Sequence, residues 1–197
     1  MTDREAHLSG TGAVERIDPR TARTRRAIID AFGRLVLRSR KPPIRAADVV
    51  AEAGVGRSTF YEHFTGAEQV QLAALAGPLA ILADAATGRG EAEQTDWLLR
   101  HFWENRQRAR DMLQGRAGEQ AQRLLADLVE QRLVRPLATA PGLAARQLAA
   151  AAFAPVRAWL LGEVSTDPAA LAQAIRSGGA ALLASMHLDR PGEFPAS

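Results

Sequence analysis

The chain has no cysteine, a single lysine (Lys41) and only 5% aromatic residues in 197. Without cysteine, disulfides and thiolate metal centres are excluded, and a reducing cytoplasm is the expected setting. No uninterrupted apolar run reaches the ~18 residues that a membrane span requires, so none is expected. The opening MTDREAHLSG lacks a basic-then-apolar pattern, so no secretory signal is expected either. Catalytic signatures are also missing. There is no G-x-S-x-G, no P-loop and no EF-hand pattern. Gly54-x-Gly56 is not a dinucleotide fingerprint, because it follows a helical pattern and Thr59 stands where the third glycine belongs. His7, His63, His101 and His187 have no partners at ligand spacing, and His101 with Glu104 forms a lone pair on a helix. No enzymatic activity, cofactor or metal is expected.

What the chain has is hydrophobic residues, 47% of them, dominated by alanine and leucine. That composition predicts an all-α protein of one large or two small domains. The most informative stretch is IRAADVVAEAGVGRSTFYEHF, residues 44–64. Val49, Val50 and Ala53 share one helical face. Gly54 follows where a left-handed residue ends a helix, and Val55 reads as an apolar anchor in the turn. A second helix is predicted over residues 57–64, with Phe60 and Phe64 four apart on its packing side. Arg57, Ser58, Thr59, Glu62 and His63 are left for the other faces, and these residue types reach phosphates or base edges. The pattern is a helix-turn-helix, whose second helix enters a major groove.

A supporting helix precedes it. Asp18-Pro19 provides a carboxylate cap and a proline at the first helical position, Ile28, Phe32, Leu35 and Val36 recur at helical spacing, and Lys41-Pro42-Pro43 ends the run. Charge is placed to match. Residues 16–45 hold 10 basic and 2 acidic residues, within a chain whose formal net charge is only +3. Such a concentration suits phosphate neutralisation, although arginine-rich helix faces are commonly just solvated.

The order TRRAIIDAFGRLVL, then VVAEAGVGRSTFYEHF, then an apolar helix resembles the N-terminal domain of the TetR (tetracycline repressor) family of bacterial transcriptional regulators. The match rests on Ala53–Val55, Thr59, Tyr61 and the pair His63-Phe64, and covers roughly residues 21–75. The resemblance implies a homodimer that represses genes from a palindromic operator and lets go when a small molecule binds the second domain. Two positions depart from the family pattern. Gly56 replaces the usual capping serine, and Ala67 replaces a lysine that opens the next helix and touches a phosphate. The free N–H groups of that helix are expected to carry more of the contact instead.

The rest of the chain reads as a helical bundle. Helices are predicted over residues 67–86, with a kink at Gly77-Pro78, and over 96–114, 119–137, 143–163 and 167–187. Breaks are expected at 88–95, 115–118, 140–142 and 165–168, and further kinks at Pro136 and Pro155. The resulting organisation is a tail over residues 1–18, a three-helix DNA-binding domain over 19–66, a helical effector-binding and dimerisation domain over 67–188, and a tail over 189–197. In the last two long helices, Leu148, Ala152, Trp159 and Leu160, and Leu171, Ile175, Leu182 and Leu183, form apolar faces. These faces suit either the monomer core or a dimer interface through 143–163 and 167–187, and the resemblance favours the interface. Small residues at 177–181 would let helices approach closely.

Candidate DNA contacts are Arg57, Ser58 and Thr59 for base edges, and Arg45, Tyr61 and His63 for phosphates. Candidate ligand-binding residues are Trp97, His101, Phe102, Met112, Leu128, Phe153 and Arg157, with a largely apolar effector as the default expectation. The expected partners are therefore double-stranded operator DNA, a small-molecule effector and a second copy of the chain. The rivals are an effector-independent architectural DNA binder, an activator, and a helical protein–protein adaptor that has lost DNA binding.

Overall fold

The computed structural model describes residues 18–38, 43–133 and 139–186, which form nine α-helices and no strand. Helix α1 (Pro19–Arg38) begins as its sequence predicts. Asp18 Oδ1 accepts the Arg20 backbone N–H at 2.9 Å, satisfying one of the orphan donors of the first turn. Helix α2 (Ala46–Ala53) ends at Gly54, whose φ of 64° is the left-handed conformation that an L side chain resists. Val55 N–H donates to Val50 O and Gly54 N–H to Ala51 O, the paired bonds of a Schellman turn. Helix α3 (Arg57–His63) is one residue shorter than expected, because Phe64 turns to extended backbone.

These three helices and the start of α4 (Ala67–Ala86) enclose one small core. Ile28, Phe32, Val49, Phe60, Phe64 and Val70 are buried in it. The core thus runs past residue 66 into α4. The far part of α4 belongs to a second, larger core, where Leu75, Leu79, Leu82 and Ala83 are buried against the remaining helices. α4 runs as one helix through Gly77-Pro78. It is also the one described helix long and apolar enough to cross a membrane, with a mean hydropathy of 1.3. Alanine supplies much of that value, and here the helix is the shared spine of both cores.

In the larger unit the predicted boundaries need correction. Helix α5 (Ala92–Glu104) starts earlier than expected, because residues 92–94 are its exposed first turn rather than loop. The helix predicted over 96–114 is two, α5 and α6 (Arg106–Met112). Asn105 divides them, and its Nδ2 donates to His101 O at 3.1 Å, a side-chain competitor for a helical carbonyl. The break expected at 115–118 is instead the first turn of α7 (Gly115–Glu130). Gly118 is needed there for clearance, since a Cβ would lie 2.2 Å from Leu113 O. α7 stops at Glu130, and Arg132 folds back over its end, donating to Leu128 O at 2.8 Å and pairing with Asp84 of α4 at 2.6 Å. Helices α8 (Pro141–Leu161) and α9 (Pro168–Met186) lie within two residues of their predicted spans.

The apolar faces of α8 and α9 resolve the earlier ambiguity in favour of the monomer core. Leu148, Ala152, Trp159 and Leu160 are at most 2% exposed, and Leu171 and Ile175 are buried beside them. Leu182 and Leu183 are half-buried against the same core. What α8 and α9 leave outside is a different, small-residue surface that includes Ala151, Ala154, Ala174, Gly178, Ala181 and Ala184. The predicted tails (apart from Asp18), Lys41-Pro42, Pro136, His7 and His187 lie outside the described residues.

Candidate nucleic-acid interface

The seven residues of α3 divide cleanly. Phe60 is fully buried, and Phe64 just beyond the helix is 1% exposed. The two rings lie 6.1 Å apart and anchor α3 to α1 and α2. Arg57, Ser58, Tyr61 and Glu62 are exposed, while Thr59 and His63 are half-buried. Arg57 lies along Tyr61 one turn on, its guanidinium carbon 5.9 Å from the ring centroid. Tyr61 meets Phe60 edge-to-face at 5.3 Å, which steadies the ring while leaving 48% of the residue open. Arg45, at the start of α2, is exposed, and its backbone N–H donates to Asp48 Oδ2 at 2.9 Å. Five of the six predicted DNA-contact residues therefore share one short helix, with Arg45 opening the helix before it.

Gly56 precedes α3 with extended backbone and no side-chain cap, and a Cβ there would meet only Thr59 Oγ1 at 3.7 Å and Ser58 Oγ at 3.8 Å. A serine would fit, so the glycine is not a steric requirement. α4 likewise opens at Gly66 without a side-chain cap, and Ala67 offers no charge. One cation escaped the residue-by-residue reading. Arg25 of α1 sits over the Phe64 ring at 4.5 Å, at the end of α3. Its place in the RTRR run at residues 23–26 was the available signal, but only packing shows which of those arginines meets α3.

The basic excess is partly neutralised within the protein. Arg34 Nε and Arg38 of α1 both pair with Glu52 of α2, the former at 2.7 Å. Arg26 pairs with Asp30 on the same helix at 3.0 Å. The hydrogen bond from Arg34 is the main cause that holds the Glu52 carboxyl below its ordinary value of 4.5, and the Arg38 and Arg34 charges add to it against an opposing effect of burial. The unfolded chain therefore binds more protons in that pH range, so this contribution is present above about 4.5 and is lost as pH falls through the depressed folded value. Glu52→Gln should flatten the acid limb of a melting-temperature profile as pH falls below about 4.5. A variant profile parallel to that of the parent would refute the linkage.

The seven predicted ligand residues do not sit together. Trp97 is 55% exposed and stacks on His101 at 5.4 Å, whereas Phe102 and Phe153 are packed in the larger core. Leu128 is half-buried against that core. Arg157 is half-buried, and its Nε is enclosed without a hydrogen-bond partner. Of the seven, Met112 alone lines the cleft of about 250 Å³ that runs between α1, α4, α6 and α7. Among the described residues no group of three His, Asp or Glu side chains is placed to hold a metal ion.

No protein-family model matches the chain, and no curated protein sequence matches it. Solved structures do. Thermus thermophilus FadR, a TetR family transcriptional repressor in complex with lauroyl-CoA, aligns over 88% of this chain and 100% of its own, with 20% identity and a TM-score of 0.53. The dihydroxyacetone kinase operon activator DhaS aligns over 84% of this chain and 98% of its own, with 20% identity and a TM-score of 0.50. The chain thus shares, over most of its length, the all-helical fold of these two proteins.

Proposed function

We propose that the protein is a cytoplasmic, sequence-specific DNA-binding transcriptional regulator that acts as a homodimer on a pseudo-palindromic operator and is released from it by a small molecule. The observation that carries this reading is α3, a polar and cationic face held outward by two fully packed phenylalanines. A two-fold pair of such helices would enter successive major grooves about one turn apart. Arg57, Ser58 and Thr59 would read base edges, and Tyr61, His63 and Arg45 would hold phosphates. The uncharged small-residue surface of α8 and α9 suits the second copy, because short side chains allow close helix approach without desolvating ions. Fold neighbours include both a repressor and an activator, and repression is the sign favoured by the notion of ligand release.

The test is a mobility-shift titration on the DNA flanking the protein's own gene, at several salt concentrations. Affinity should fall steeply with salt. Arg57→Ala should cost roughly 1–3 kcal/mol and relax preference at one base pair per half-site. Tyr61→Phe and His63→Ala should weaken all sequences alike. Unchanged affinity and preference for Arg57→Ala would remove that residue from the interface. Indifference of the parent protein to every promoter fragment would favour the helical adaptor, the reading to which uncapped Gly56 and uncharged Ala67 point.

A further inference from the structure

The cleft of about 250 Å³ is built from both units of the molecule. Phe32 and Val36 of α1 and Ile44 ahead of α2 form the wall on the side of the small core. Leu72 and Leu75 of α4 form the floor, and Met112 of α6 faces them from the larger unit. Met112 packs against both cores. Its carbonyl accepts Gln71 Nε2 at 3.0 Å, which ties α6 to α4 at this seam. Since a dry apolar cavity of roughly 150 Å³ already accepts benzene, this space suits a bicyclic ring or a short branched chain.

The rim decides the head group. Arg116, Glu68 and Asp111 are exposed and keep their hydration, whereas Arg108 is half-buried. Among the described residues Arg108 has no ion pair, and its recorded side-chain contact is a 3.4 Å bond to Asn105 Oδ1. Asp111 opposes an anion from the same helix, but its Oδ1 already accepts Gln107 Nε2 at 3.2 Å. A partly desolvated guanidinium without a carboxylate is best satisfied by a planar acceptor.

We infer that this interdomain cleft is a binding site for a small aromatic or branched-aliphatic carboxylate, its apolar body between α1, α4 and α6 and its head on Arg108. This assignment rests on the proposed regulatory function and names the effector site within it. A ligand there touches the helix that supports α3 and the helices of the body at once. It shifts the placement of the DNA-binding unit by whatever difference in affinity it has for the open and closed seam.

The experiment uses the full-length protein without DNA and two probes that share a naphthalene body and differ in head-group charge, 2-naphthoate and 2-naphthylmethylammonium, followed by calorimetry. The carboxylate should bind saturably, and more tightly than the ammonium. Arg108→Gln should weaken it by about tenfold or more, the worth of one charge-assisted hydrogen bond. Ala117→Leu, which fills the α7 side of the cleft, should abolish binding while the thermal transition is kept. Val36→Phe on the α1 side provides the same test should the first variant fail to fold. Tighter binding of the ammonium, no saturable binding of either probe, or binding that survives the filling variant would each overturn the assignment. Because no DNA is present, these results leave the operator reading intact, and a failed mobility shift with normal probe binding would strike that reading instead.

Discussion

Phe60→Ala should melt the helix-turn-helix unit, and with it the proposed DNA binding, while the larger unit stays folded. Phe60 is fully buried at the centre of a core with only six buried side chains. Truncating a buried phenylalanine costs about 3–5 kcal/mol, from lost transfer energy and the cavity left behind. A large core relaxes and shares such a loss. This one is ringed only by partly buried side chains such as Leu35, Val36 and Val50, and α3 is too short to be helical without the anchor. The three tryptophans lie at 97, 103 and 159, all in the larger unit, so their fluorescence reports that unit alone. The expected result is an almost unchanged tryptophan transition together with loss of amide-exchange protection over residues 46–64. Parent-like protection in the variant would show that α3 is held by something other than Phe60.

Gly179→Ala should destabilise the body, and its neighbour Gly178→Ala should not. A Cβ on Gly179 would lie 2.3 Å from Ala86 O and 2.9 Å from the Ala86 carbonyl carbon. The obstacle is backbone at the end of α4, so no rotamer change relieves it and α9 must shift. Overpacking of this kind costs about 1–3 kcal/mol, and contacts against rigid backbone lie at the upper end. Gly178 is exposed and would meet nothing within 4 Å. Alanine there removes a flexible residue from a helix interior and should stabilise the isolated chain by roughly 0.5–1 kcal/mol. Two adjacent glycines with opposite signs in denaturant titrations are the expected signature. Equal effects would mean that α9 does not cross α4 at Gly179.

The helix-turn-helix was legible from the residues because its determinants are local. Val49, Val50, Gly54 and Val55 lie within seven positions, and the Schellman turn needs nothing from elsewhere in the chain. Phe60 and Phe64 declare their face by their spacing alone. Other elements were misread where one side chain overrode the pattern. Asn105 interrupts an apolar period that runs on either side of it, and residues 115–118 look like a loop but pack as a helical turn.

By itself, then, the amino-acid sequence determined an all-helical chain, the place and start of α3, and which side of α3 faces solvent. Tertiary structure decided what each apolar face meets. Leu148, Trp159 and Ile175 announce burial, yet only packing shows that they complete the subunit's own core and leave an alanine-rich surface outside. The small residues at 177–181 announce a close approach, and packing assigns it at Gly179 to Ala86 within the same chain. Met112 was a candidate ligand contact from its residue type, but only the packing of α1 and α4 against α6 shows that it lines a seam with Arg108 rather than a pocket with the other six candidates. The physical reason is common to all three. Helical periodicity encodes that a face is removed from water, whereas the identity of its partner depends on contacts between residues tens of positions apart, which no local spacing records.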